Sequence, residues 1–216
     1  MRQLSEYHYI FFDCDGVVLN SNQIKSDAFR FVARHCKEEH INALLHYNRA
    51  QGGVSRYIKL EWFHEMLKRE NIEFDYQTAL MEFSFYVKEK LISAQSYLDE
   101  LKLELKPNQN WSIVSGGDQA ELREVFSQRG LDVWFDGGIH GSPKSKYDIL
   151  LNFKKQGIDL AGSLFVGDSL LDYEVAKHFN TDFVFLWEWS EVSNQENFCI
   201  SRGITSMKNI LELWNL

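Results

Sequence analysis

The first apolar run of the chain covers residues 9–12, inside a segment from His8 to Asp13, and the acids Asp13 and Asp15 cut it off. It is apolar at successive rather than alternate positions. A short run of that kind predicts a strand buried on both faces, as in a parallel sheet. Val17 to Leu19 follows Gly16 and predicts a small turn. From Ile24 the period lengthens, and Ile24, Ala28, Phe31, Val32 and His35 share one helical face. Two further stripes, Leu60-Phe63-Leu67 and Leu80-Phe83-Val87-Leu91, continue the helical pattern, with Gly52-Gly53 as punctuation between elements. Beyond Pro107 the period shortens again. Residues 111–115 predict a strand and Gly116-Gly117 the turn after it. Asp118 predicts the N-cap of a helix, with Glu121 as its capping-box partner. Leu122, Val125 and Phe126 predict that helix's buried face, and Gly130 its stop. Further strands are predicted over 133–135, 163–167 and 182–187. Tyr147, Leu150 and Leu151 start a helix that ends near Gly157; Leu171, Val175 and Phe179 mark another, and 207–214 the last.

Strands alternating with helices imply βαβ units. The predicted fold class is therefore α/β, with a Rossmann-like, doubly wound parallel sheet. A helical block separates the first strand from the others. The economical division is a core made of residues 1–20 and 95–216, with residues 21–94 inserted as an α-helical cap. The length of 216 residues suits one domain plus such an insert.

Composition narrows the partners. With 44% hydrophobic and 25% charged residues the chain is a packed domain, not a disordered one. A net charge of −8 argues against a nucleic-acid partner. No run approaches the ~18 apolar residues of a membrane span, and no signal peptide is visible, so a cytoplasmic protein is expected. Cys14, Cys36 and Cys199 are far apart and form no CxxC. They predict reduced thiols rather than a zinc site or a disulfide framework.

Open α/β sheets bind ligands at the carboxyl ends of their strands. Those ends carry Asp13-Cys14-Asp15-Gly16, Ser115-Gly116-Gly117 and Gly167-Asp168-Ser169, with Asp172 one turn further on. A loop holding Lys144 and Lys146 lies between the second and third. Several carboxylates in one crevice need a cation. Oxygen ligands favour a hard one, and magnesium is the default for phosphate chemistry. An Asp beside such an ion can attack phosphorus, and a second Asp can protonate the leaving oxygen and then activate water. The residues alone thus suggest phosphoryl transfer.

These segments also resemble the haloacid dehalogenase superfamily. Phe11-Phe12-Asp13-Cys14-Asp15-Gly16-Val17-Val18 is similar to its first motif, and Ile113-Val114-Ser115-Gly116-Gly117 to its second. Phe165-Val166-Gly167-Asp168-Ser169-Leu170-Leu171-Asp172 is similar to its fourth. The third motif is a lysine ahead of a helix. Aligning Asp148 with the family's aspartate puts Lys144 in the catalytic place and leaves Lys146 as the alternative. The resemblance implies Asp13 as nucleophile and metal ligand. It implies Asp15 as acid/base, with its backbone carbonyl on the metal. Ser115 would bond a phosphoryl oxygen, with Gly116 next to it on the substrate, and Lys144 would neutralise the phosphoryl group. Asp168 would be a magnesium ligand, and Asp172 a ligand or the partner of one. Dehalogenase members lack the second acid, so Asp15 disfavours dehalogenation.

The insert resembles the cap of the subgroup that includes beta-phosphoglucomutase. Its Gly53-Val54-Ser55-Arg56 is similar to a segment whose arginine contacts the substrate. Arg56 is therefore a candidate substrate contact, whereas Lys59, one turn on, is expected to be exposed. Cys14 is expected to point into the core, and His140, His64 and Trp62 to be ordinary packing or loop residues. The function implied is a magnesium-dependent phosphatase acting on a small phosphorylated metabolite, a sugar phosphate for choice. The alternatives are a phosphomutase and, from another class, a non-enzymatic binder.

Overall fold

The computed structural model describes residues 2–103, 106 and 108–215. Pro107 lies outside them. Six strands form one parallel sheet: β1 (Tyr9–Phe12), β2 (Asn110–Asp118), β3 (Ile139–Ser142), β4 (Leu164–Gly167), β5 (Asp182–Leu186) and β6 (Thr205–Met207). Their spatial order is β3-β2-β1-β4-β5-β6. Strand order reverses direction at β1, so the switch point lies between β1 and its neighbours, where a ligand crevice opens in such sheets.

Alternate side chains of the central strands face opposite ways. Ile10, Phe12, Trp111, Ile113, Leu164 and Val166 pack on one face. Phe11, Val114 and Phe165 pack on the other. The first face is covered by α5 (Gln119–Arg129), through Leu122, Val125 and Phe126. The second is covered by α6 (Lys146–Lys155) and α7 (Leu170–His178), through Ile149, Leu150, Phe153, Val175 and Ala176. Each such side chain, fully buried, contributes roughly 1.5–3 kcal/mol. A short α8 (Gln195–Ile200) packs Phe198 and Cys199 against Phe185 of β5.

Four helices lie between β1 and β2: α1 (Asn22–Val32), α2 (Glu38–Ala50), α3 (Arg56–Arg69) and α4 (Tyr76–Leu91). They bury Phe29, Leu44, Leu60, Phe63, Phe83 and Val87, which join the cluster on the first face of the sheet. This is the inserted helical cap. None of the described helices is long and apolar enough to cross a membrane.

Two elements differ from the sequence reading. Residues 133–135 are not a strand: Asp132–Trp134 is a turn of 3-10 helix, closed by Trp134 N–H to Leu131 O and Phe135 N–H to Asp132 O. The third strand is Ile139–Ser142. The predicted last helix is instead β6 followed by a 3-10 turn, Ile210–Asn215. Both unpredicted strands are the sheet's edges. The capping box at α5 is half formed. Asp118 accepts the N–H of Glu121, but the carboxylate of Glu121 turns elsewhere.

Candidate active site

β1 and β4 end side by side. The N–H of Asp13 donates to Val166 O at 2.9 Å, one step beyond the strand. Asp13 Oδ1 accepts the N–H of Cys14 at 2.7 Å. After β4, Ser169 caps α7 in a reciprocal box with Asp172, whose Oδ2 accepts from the Ser169 hydroxyl at 2.6 Å and its N–H at 3.1 Å. Lys146, the first residue of α6, joins the two strand ends. Its Nζ lies 2.7 Å from Asp13 Oδ2 and 2.6 Å from Asp172 Oδ1. Gly16 turns the chain back at φ +78°, and a Cβ there would overlap Asp168 Oδ2. Only glycine tolerates both the left-handed angle and the close approach.

Asp13, Asp168 and Asp172 are all buried, and one oxygen or more from each lies within 4.8 Å of the others. Burial, with repulsion from Asp172 and Asp15, pushes Asp13 up to about 7 against the opposing pull of Lys146. Burial and the neighbouring Asp13 and Asp172 hold Asp168 well above the usual carboxylate range. Burial alone would lower Lys146, but Asp13 and Asp172 outweigh it and keep its ammonium charged. Three carboxylates thus face one ammonium, and the site is short of positive charge. An all-oxygen, electron-rich cluster of this kind fits a hard divalent cation.

The cap closes over this floor. Asn22, at the start of α1, donates through Nδ2 to Asp168 Oδ2 and to Trp189 O, both at 2.9 Å. Asp15 accepts the Ser21 hydroxyl at 2.6 Å and stands 3.5 Å from Lys25 Nζ. Gly116, near the end of β2, meets the cap loop so closely that a Cβ would overlap Gly53 O. Between cap and core lies a cavity of about 80 Å³. Asp13, Asp15 and Asp168 line it from the core, and Lys25, Arg56 and Lys59 from the cap.

A family model for haloacid dehalogenase-like hydrolases matches residues 7–180. The chain belongs to that family. No curated protein matches it by sequence. Among solved structures, this hydrolase is similar to a predicted phosphatase from Clostridium acetobutylicum, at 18% identity and a TM-score of 0.68, with 97% of each chain covered. It is also similar to a beta-phosphoglucomutase from Clostridium difficile, at 17% identity and a TM-score of 0.65, again over 97% of each chain. A magnesium-bound HAD-hydrolase from Bacillus subtilis matches at 16% identity and a TM-score of 0.69, over 98% of this chain and 100% of that one. At such identities the likeness establishes the fold.

Within the hydrolase, the sequence-derived residues fall as follows. Asp13, Asp168 and Asp172 converge, and Asp15 lines the same cavity with its carboxylate outside that cluster. Ser115 is fully buried within β2, its oxygen accepting the Gly117 N–H at 2.9 Å; the expected turn at Gly116-Gly117 is instead strand, with a register shift against β3 between Val114 and Asp118. Gly116 lines the cavity. Lys144 does not reach the site; it is exposed, and Lys146 takes the place assigned to it. The reason is the face of α6. Lys146, Ile149, Leu150 and Phe153 are its buried residues, at i, i+3, i+4 and i+7. The Tyr147-based stripe was one residue out of phase, and Tyr147 is 40% exposed.

Arg56 lines the cavity, but its guanidinium is paired with Glu121 of α5 at 2.9 and 3.1 Å, both side chains being buried. The Ser84 hydroxyl also donates to Glu121, at 2.7 Å. Lys59 is 5% exposed rather than solvated. It falls on the stripe of Leu60, Phe63 and Leu67, and that periodicity could have revealed it. Asn22 and Lys25 were missed; their polar side chains lie outside every motif. Cys14 is buried in the core as expected. His140 bonds Gly137 O, His64 bonds Phe74 O, and Trp62 stacks on Tyr47.

Proposed function

We propose that this hydrolase is a magnesium-dependent phosphatase for a small phosphorylated metabolite, acting through an aspartyl phosphate on Asp13. The observation that carries the reading is the buried Asp13–Lys146–Asp172 array, with Asp168 in contact range, beside a cavity that Asp13, Asp15 and Asp168 line. Asp13 attacks phosphorus and the bond to the leaving oxygen breaks. Asp15 gives that oxygen its proton, then takes one from the water that hydrolyses the phosphoenzyme. Lys146 orients Asp13 and balances the phosphoryl charge. The Ser115 oxygen already accepts from Gly117, so its hydrogen is free to bond a phosphoryl oxygen. Asp13 and Asp168, the Asp15 carbonyl and Asp172, as a ligand or as the partner of one, would hold magnesium, which supplies Lewis-acid neutralisation of the transferring group when bound.

A cavity of about 80 Å³ is well below the ~300–1,000 Å³ of drug-sized ligand sites, which favours a small ester over a protein or nucleic-acid substrate. The phosphomutase reading leaned on Arg56, and the Glu121 pairing removes that support. Three free thiols fit the reducing cytoplasm. The test is phosphate release from a panel of sugar phosphates and small phosphoacids, with magnesium and with chelator. Release from one or a few esters, abolished by chelator, is expected. Isomerisation without release would transfer the assignment to a mutase, and no turnover at all would leave a binder.

A further inference from the structure

Lys59 is a buried cation with no carboxylate within ion-pair distance among the described residues; Asp15 and Glu191 act on it from farther away. Its Nζ donates to Asn48 Oδ1 at 2.7 Å and to Asn48 O at 3.3 Å, both neutral acceptors, and it forms no ion pair among the described residues. Its Nζ also lies over the Phe29 ring, 5.6 Å from the centroid. Of the other cap cations on the cavity, Arg49 is exposed to solvent and two are paired. Arg56 is neutralised by Glu121, and Lys25 faces Asp15. An ammonium has three donors, and Asn48 takes two of them. Holding a buried charge on neutral partners is costly unless something else compensates it. The residue lines the same cavity as Asp13 and Asp15.

We propose that Lys59 selects the substrate by receiving a second anionic group, carried on the leaving-group side of the phosphate ester. The inference rests on the phosphatase reading, which places the phosphoryl group at Asp13 and the leaving oxygen near Asp15. The rest of the substrate then extends towards the cap, where Lys59 is the one buried cavity cation whose charge no carboxylate has claimed. Burial pulls Lys59 down to about 8 against the upward pull of Asp15 and Glu191, and an anion bound beside it would favour its charged form. The anion is a carboxylate or a second phosphate. Selection arises because an ester with a neutral leaving group leaves the buried ammonium uncompensated, a penalty that discriminates more sharply than a lost apolar contact.

The test separates this assignment from the chemistry. Binding is measured by calorimetry in the Asp13→Asn protein with magnesium, where no phosphoenzyme forms. The probes are carboxymethyl phosphate, ethane-1,2-diyl bisphosphate and the neutral 2-hydroxyethyl phosphate. One or both dianionic-end probes should bind at least ~10-fold tighter than the neutral ester, the loss expected for one charge-assisted contact. Which of the two binds tighter identifies the anion. Adding Lys59→Gln should erase that preference while 2-hydroxyethyl phosphate still binds, and Lys59→Arg should restore part of it. Equal affinities in the parent, or a preference that survives Lys59→Gln, would overturn the proposal. If Lys59→Gln does not fold, competition of the same esters against p-nitrophenyl phosphate in the unsubstituted enzyme decides, with no advantage for an anionic ester counting against Lys59. Preferential binding without turnover of any ester would sink the phosphatase and leave Lys59 standing; turnover without preference would do the reverse.

Discussion

Asp13 is 3% exposed, with Asp172 and Asp15 as like-charged neighbours, and in the metal-free protein its carboxyl is pushed up to about 7 from an ordinary 3.8. A folded-state value above the unfolded one means that the native state holds the proton more tightly. The stability associated with Asp13 is therefore fully present below about pH 3.8 and is lost as pH rises through about 7. Asp168, shifted in the same direction, adds to the trend. Asp13→Asn removes one of the buried acids without changing volume. In the presence of chelator its urea midpoint should gain on the wild type between pH 4 and pH 7, and turnover should vanish at every pH. A difference between the two proteins that is constant across that range would refute the burial argument. Asp13, Asp15 and Asp168 were legible in the sequence because each ends an apolar run. Asn22 was not, since a single polar residue at a helix start reads as surface until the tertiary contact is known.

At the scale of elements, the four central and buried stretches were legible and the two edges were not. β1, β2, β4 and β5 lie between partners and carry continuous apolar runs. β3 and β6 pair on one side only, and Ile-His-Gly-Ser and Thr-Ser-Met hold no run that periodicity can detect. Aligning Asp148 with the family's aspartate favours Lys144, but the phase of α6 favours Lys146, which shares the buried stripe of Ile149, Leu150 and Phe153; one residue is 100° of helix. The two lysines should separate cleanly. Lys146→Met leaves Asp13 and Asp172 without their cation and should cost about 3 kcal/mol of stability, with phosphate release abolished. Lys144→Ala, on an exposed loop, should stay within ~0.5 kcal/mol of wild type and retain turnover. Urea denaturation and a release assay on both variants check this; loss of turnover in Lys144→Ala would reverse the assignment.

On the scale of the whole molecule, cap and core are joined by directional contacts around α5 and its N-cap, in addition to those of Asn22 and Lys25 at the site. Arg56 meets Glu121, the Tyr57 hydroxyl donates to Asp118 at 2.7 Å, and Lys88 reaches Glu124 at 2.5 Å. The first pair is buried on both sides, so breaking it from one side strands a charge. Glu121→Leu should destabilise the protein by about 3 kcal/mol, whereas Arg56→Met/Glu121→Leu should recover most of that loss. Denaturant midpoints of the two variants test this, and a double variant as unstable as the single one would show that Arg56 is not bound chiefly through Glu121. The cap as a unit was legible, because a long helical insert between two strands has few alternatives. Its seating on α5 was not, since Glu121 reads from the sequence as a capping-box acid and is used as a counter-ion.

Lys146 is delivered by the first turn of α6, behind the reciprocal Ser145–Asp148 cap, and not by the loop that precedes it. Loop length ahead of Ser145 is therefore free to drift over evolutionary time without moving the ammonium. One residue inserted between Lys146 and Ile149 would swing it off the apolar stripe and away from Asp13. Alignments of distant relatives should locate this lysine by counting back from the helix's apolar positions, three before the first and four before the second, and never forward from the end of β3.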